Sequence, residues 1–363
     1  MKILKKIETV FFVKGYNRGI VFDFQRDDYD FVPNSLIDFV NTYDKKVLSS
    51  EIEEEFVDYI SFLIEKEYCF FCDEFDFNLF QKVSLEYEEY SKIQNAFVEL
   101  DNSFNIIFLN KLVQLGCSYF LFIVNKNATL DLEKLSELID HLNNQLVDSI
   151  IFYFEDSKSY NLLDLNNLIN NYNIISKVVF FSKNHSAVDD TILEFEKILF
   201  LSQDFEVSEH SKSPYNFNWS FKHFLEAQNF NTYFNKKIFI NSKGDISNTY
   251  FFENSFLNIG NSTYEEIVDF LSDKKVWELW YVIKDDILIC KDCEFRYICN
   301  DVQIPVKLTN NKWKMNKECN YNPLISKWNN ENGYRSIIFF GSFQNNDFEI
   351  NHERVIEYNK SIW

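Results

Sequence analysis

Cys290, Cys293 and Cys299 lie in the stretch CKDCEFRYIC, and Cys319 follows, giving the spacing C-x2-C-x5-C-x19-C. Thiolates are soft donors, and a C-x2-C pair presents two of them from one tight turn, as zinc ribbons and iron–sulfur proteins do. Two further thiols complete a tetrahedral set. Four thiolates suit zinc or an iron–sulfur cluster equally, so the spacing does not choose between the metals. The other three cysteines are expected to do no chemistry. Cys69 and Cys72 sit among aromatics at the expected end of a helix with no second pair nearby, and Cys117 opens an apolar strand. All three are expected to be small buried hydrophobes. The histidines, at 141, 185, 210, 223 and 352, form no close-spaced pair with one another or with a cysteine. No G-x4-G-K or G-x-G-x-x-G loop occurs, and acidic runs such as SEIEEE read as solvated helix faces. No catalytic residue is assigned.

The elements that position these cysteines belong to a chain of 363 residues, longer than the roughly 250 at which single cores stop growing. Aromatics are 18% of it, while Gly and Pro together number 11, so the composition is that of a folded protein throughout. A net charge of −20 excludes nucleic acid and anionic membrane surfaces, which need clustered Lys and Arg, and permits a basic peptide. No stretch approaches the roughly 20 apolar residues of a spanning helix, and the start has no apolar run of signal-peptide length. A cytoplasmic protein is expected. Reducing conditions there favour metal ligation over disulfides.

Three regions follow, with an α/β fold class. Residues 1–85 begin with short strand patterns, IETVFFVKG, GIVFDFQR and DYDFVP, then two helices, NSLIDFVNTY and SSEIEEEFVDYISFLIEKEY, the second opening with Ser50 and Glu53 at capping-box spacing. In residues 92–230 the apolar runs CSYFLFIV, SIIFYFE and KVVFFSK recur about every 30 residues, the size of one βα unit. Between the first two lies a helical stripe of Leu132, Leu135, Leu138, Ile139 and Leu142. Such alternation predicts a parallel sheet covered by helices, and the region is too short for a complete barrel of about 250 residues. A partial barrel or an open sheet is expected. Residues 233–363 start with a hairpin turning at Lys243-Gly244, then a helix capped near Ser262, then the cysteine cluster.

INSKGDISNTYFFENSFLNIGNSTYEEI, followed by CKDCEFRYIC and CNYNPLISKW, resembles the SPASM domain found behind radical SAM peptide-modifying enzymes. The resemblance spans roughly residues 233–330. It implies that Cys290, Cys293, Cys299 and Cys319 match the ligands of the second auxiliary iron–sulfur cluster. Gln303 and Thr249 stand where ligands of the first would be, so one 4Fe-4S cluster is expected, with zinc the alternative. Residues 1–289 lack the C-x3-C-x2-C motif of radical SAM enzymes, and S-adenosylmethionine cleavage is not expected. This combination, with the N-terminal FFVKGYNRGIVFDFQRDDYDFVPNSLIDFV, looks like the SPASM protein of grasp-with-spasm peptide systems. The resemblance then implies three parts: a PqqD-like winged-helix peptide-recognition unit over 1–85, a partial (β/α) barrel related to radical SAM proteins over 92–230, and a SPASM-like four-cysteine domain over 233–363.

The function so implied is maturation of a ribosomally made peptide. This chain would bind the precursor peptide, in a groove between DYDFVP and FLIEKEY, and assist a partner ATP-grasp ligase that forms side-chain ester or amide crosslinks. Two other readings stand beside it: a redox-active iron–sulfur peptide-modifying enzyme, and a zinc-stabilised α/β binding protein. Cys293→Ser is expected to loosen the C-terminal region while leaving the first 230 residues folded.

Overall fold

The computed structural model describes residues 3–43, 56–80, 82–125, 128, 130–155, 160–181, 195–201, 217–250, 257–309 and 311–362. The chain divides into two compact units, each assembled from separated stretches. The first comprises Met1–Tyr87, His210–Thr232 and Val282–Trp363; the second comprises Glu88–Glu209 and Tyr233–Tyr281.

The first unit opens with strand β1 (Ile3–Lys6), then β2 (Val10–Lys14), β3 (Gly19–Asp23) and β4 (Asp28–Val32), which form an antiparallel sheet in the order β2-β3-β4. Helices α1 (Asn34–Tyr43) and α2 (Val57–Glu65) follow. The Ser50 and Glu53 capping box lies outside the described residues. After α2 the chain reverses at Glu67, whose φ is +56°, with Tyr68 N–H donating to Leu63 O at 2.8 Å. It then forms β5 (Cys69–Cys72), antiparallel to β1, and α3 (Glu74–Leu79). The CFFC segment, read as the end of a helix, is therefore a strand, with Cys69 and Cys72 both buried. A left-handed residue just past a helix turns the chain out of it, and the segment pairs with β1 instead.

The central strand β3 is buried on both faces. Val21 packs with Val10, Val32 and the apolar faces of α1 and α2, including Leu36, Ile37, Ile60 and Leu63. Ile20 and Phe22 pack on the opposite side with Phe224, Leu225, Phe295, Ile298 and Tyr321. A strand with a continuous apolar run needs cover on both sides. Helices α1 and α2 supply one, and residues of 217–328 within the same unit supply the other.

The second unit is built on β6 (Asn95–Leu100), β7 (Tyr119–Val124), β8 (Ser149–Phe154), β9 (Ile175–Phe181) and β10 (Ile198–Leu201), all parallel. Helices α4 (Ile107–Gln114), α5 (Leu132–Asn143) and α6 (Leu162–Asn170) alternate with the first four strands. In α5, Leu135, Leu138, Ile139 and Leu142 are buried as the stripe predicts, while Leu132 is half-buried. The chain passes through α7 (Phe221–Ala227) in the first unit, then returns as β11 (Lys237–Ile240), β12 (Asp245–Ser247), β13 (Leu257–Asn258) and α8 (Tyr264–Leu271). The eight strands share one sheet in the order β10-β9-β8-β7-β6-β11-β12-β13. The fold is α/β with a large, mostly parallel sheet.

The hairpin turns at Gly244 as expected, with φ +89° and a Cβ there set to lie 2.8 Å from the Phe108 ring. Helix α8 is capped by Thr263, one residue after the expected Ser262, in a full capping box with Glu266. The division between regions differs from the one read in the sequence. All four residues of β11 are buried, and the strand runs parallel to β6 from the pair Lys237 and Asn95, so residues 233–281 belong with the α/β sheet.

From Val282 the first unit is completed by short elements: hairpins β14 (Pro305–Thr309) with β15 (Lys312–Met315), β16 (Tyr321–Asn322) with β17 (Lys327–Trp328), and β18 (Gly341–Gln344) with β19 (Asp347–Ile350), then α9 (His352–Ile362). Among the described residues, no helix is long and apolar enough to cross a membrane.

Candidate metal centre

The cysteine loop is wound from tight turns. Cys290 starts a single 3-10 turn closed by Cys293 N–H donating to Cys290 O at 3.0 Å, so the C-x2-C pair rises from one turn. Ile289, just before it, has φ +71°. A β-branched residue in the left-handed region is strained, and such strain gathers at functional sites. Cys299 is fixed by an antiparallel bridge to Phe217, beside which Asn218 N–H donates to Ile298 O at 2.9 Å. Cys319 Sγ accepts a bond from Tyr321 N–H at 3.4 Å.

All four cysteines, none of them in a disulfide and each half-buried, line one cavity. Its interior offers about 50 Å³ to the centre of a water-sized sphere, several times the ~10–15 Å³ that one water needs. Phe217, Ile289, Phe295, Tyr321 and Trp328 line it beside the thiols, with Lys284 and Arg296 as cations and Asp301 as the carboxylate. Among the described residues, no three His, Cys, Asp or Glu side chains are drawn in as a ligating group, so the thiols share a cavity without forming a closed coordination sphere. Their chemistry fits a metal nevertheless. Burial, then the charges of Glu294, Cys299 and Cys319, pushes the Cys293 thiol well up. Neighbouring thiolates repel one another unless a cation offsets them, and metal binding releases their protons.

Two charged networks flank the cavity. Lys284 is buried and pairs with Asp301 at 3.1 Å. Burial alone would lower its ammonium, but Asp301 and the thiols of Cys299 and Cys290 outweigh this and raise it. Behind it, the His223 imidazole is pushed down to about 4 by burial and by Lys284, and its Nε2 has no hydrogen-bond partner. On the other side Glu294 is fully buried. Its Oε1 accepts bonds from Arg18 Nε at 2.9 Å and Tyr321 OH at 2.5 Å, whereas its Oε2 has no partner. Burial raises the Glu294 carboxyl. Arg18 also lies over the Phe31 ring at 3.5 Å. The Arg18 bond links the turn before β3 to the C-x2-C loop, so the N-terminal sheet and the cysteines are held by one polar network.

Sequence reasoning placed the four cysteines and missed these networks. Arg18 and Glu294 are 276 residues apart, and no local spacing marks them. The one available signal was the uninterrupted apolar run of β3, which demands cover on its second face. Of the histidines, His141 Nε2 bonds to Asn110 at 2.8 Å and His352 Nδ1 to Tyr16 OH at 2.6 Å; His185 and His210 lie outside the described residues. Gln303 Oε1 accepts a bond from Lys317 N–H in the first unit, and Thr249 lies in the second.

No protein family matches the chain, and no curated protein matches it. Among solved structures, the crystal structure of Streptococcus suis SuiB aligns with 81% of this chain and 94% of its own, at 11% identity and a TM-score of 0.29. That likeness is too loose to carry an argument about fold or activity.

Proposed function

We propose that this chain is a SPASM-related peptide-maturation protein that binds a ribosomally made precursor peptide and assists a partner ATP-grasp ligase in crosslinking it. The observation that carries the proposal is the gathering of Cys290, Cys293, Cys299 and Cys319 around one cavity. These residues would hold one 4Fe-4S cluster, or zinc in its place. Bound there, the group would tie together loops that few regular elements support, and its binding energy would be folding energy.

The N-terminal sheet supports the peptide-binding half of the proposal. Strand β4 pairs with β3 on one side and, among the described residues, with no strand on the other. An extended peptide can add to such an edge through main-chain hydrogen bonds. The end of α2 is tied to it, since Lys66 Nζ lies 2.8 Å from Asp30 and Tyr68 OH donates to Asp30 at 2.7 Å. A PqqD-like recognition unit would use this edge as its groove.

Metal and acid-labile sulfide, measured on protein purified without oxygen, test the centre. About four irons and four sulfides per chain support the cluster, one zinc without sulfide supports the alternative, and no metal at all overturns the site. For the maturation role, a neighbouring ATP-grasp ligase and precursor peptide are co-expressed with and without this chain. A loss of one water per crosslink that depends on this chain is expected; equal crosslinking in its absence rejects the role.

A further inference from the structure

The chain is acidic as a whole, with 36 Lys and Arg against 56 Asp and Glu, yet residues 301–363 carry 8 against 7. The cations of this segment stand beside exposed apolar side chains. Ile338 is 66% exposed, Phe339 40%, Phe343 47% and Ile356 54%. Phe339 packs on buried Phe340 at 5.0 Å, and Phe343 packs on Phe348 at 5.0 Å, so the exposed rings rest on the small core beneath.

Two guanidinium groups flank Phe339, with the Arg354 carbon 5.5 Å and the Arg335 carbon 6.0 Å from its ring centre. Each is held by one bond to the main chain: Arg354 Nη1 donates to Phe339 O at 2.8 Å, and Arg335 Nη1 donates to Tyr334 O at 2.9 Å. Among the described residues neither has a carboxylate partner. A guanidinium carries five N–H donors, so each is oriented and still has donors to offer. Lys314 lies over Phe343 at 5.3 Å and adds a third cation.

We infer that the surface around Arg335, Phe339 and Arg354 docks an acidic protein segment that places carboxylates on the two guanidinium groups and an apolar side chain against Phe339 and Ile338. Arginines and aromatics dominate the energetic centres of protein interfaces, and fork-shaped pairing suits carboxylates. The exposed apolar side chains favour a protein over a phosphate-bearing polyanion, which has none to set against Phe339 and Ile338. This inference does not depend on the metal centre or on the maturation role.

Fluorescence anisotropy of a short labelled peptide in which Glu and Asp alternate with Leu and Phe tests it on the full-length protein, with a Lys-for-acid counterpart as control. The acidic peptide is expected to bind, more weakly as salt rises, and the control is not. R335E/R354E should weaken binding at least about tenfold, the worth of one charge-assisted hydrogen bond, with an unchanged circular dichroism spectrum. R335Q/R354Q, which removes the charge but keeps a polar N–H donor at each position, should weaken it as well. No binding by the wild type, equal binding by either double variant, or displacement of the peptide by short single-stranded DNA would overturn the proposal.

Discussion

The second unit rests on strands and helices that each bury several neighbouring apolar side chains, and the first rests on contacts between short elements far apart in the chain. In the second, β7 buries Phe120, Leu121, Phe122, Ile123 and Val124 in succession, and α5 lays down four buried side chains of one stripe. In the cysteine-bearing part of the first, strands of two to five residues alternate with 3-10 turns, and Lys284, Glu294, Asp301, Asn322 and Ser326 are buried. Buried polar groups hold a structure only when partnered. The second unit therefore draws most of its stability from apolar burial. The first depends on specific partners for its buried polar groups, and its four cysteines are where the proposed metal would add one more tie.

Changes that strike one unit and spare the other sharpen this contrast. The largest effect is expected from Cys293→Ser, because structural four-thiolate sites contribute on the order of 10 kcal/mol. Since β3 shares its core with the cysteine segment, the loss should reach residues 1–87 as well as 282–363, which revises the expectation that the first 230 residues stay folded. Limited proteolysis should show new cleavage in both stretches and none in residues 95–181; unchanged resistance and metal content would remove the site. Phe122→Ala, at a fully buried position in β7, should cost the second unit about 3–5 kcal/mol. Urea unfolding followed by hydrogen exchange would locate that loss, and a loss of the same size in β2–β4 would dissolve the distinction between the units.

A pH-dependent change should come next. The folded value of His223 lies near 4, below its ordinary 6.5. The unfolded chain therefore takes up a proton first, and the stability associated with the neutral ring is complete above 6.5 and lost as the pH falls toward 4. Up to about 3 kcal/mol is involved. His223→Leu removes the titrating ring and should flatten that slope, with no Nε2 hydrogen bond lost in the exchange. Identical urea midpoints for both proteins at pH 7 and at pH 4.5 would contradict the assignment. Smallest of all, Thr263→Ala removes the capping box of α8 and should lower the melting temperature of the second unit by an amount equal to about 1 kcal/mol. A shift in the first unit instead would be unexpected.

The legibility of the sequence follows the same line. Strands β7, β8 and β9, helix α5 and the Gly244 hairpin could be read because each is specified by neighbours within a few residues. The four cysteines could be read because their type is rare and their spacing local. The cores of the two units could not, since β3 finds its second face in residues 217–328 and β11 finds β6 across more than a hundred residues. A run such as IVF says that cover is needed without saying which segment supplies it. The Lys284–Asp301 and Arg18–Glu294 pairs left no pattern at all, because a charge in a loop reads as solvated until the fold buries it.

The first unit is split in the sequence, interrupted twice by stretches of the second. On a ribosome adding about 5–20 residues per second, the stretch between Tyr87 and Val282 takes on the order of tens of seconds to synthesise. Through that interval β3 has emerged while most of the residues that cover its second face have not. Cys319 arrives later still. In the centre proposed, capture of a metal by all four thiols would follow synthesis of nearly the whole chain, and until the later segments emerge the apolar face of the nascent sheet is a surface for chaperones to shield.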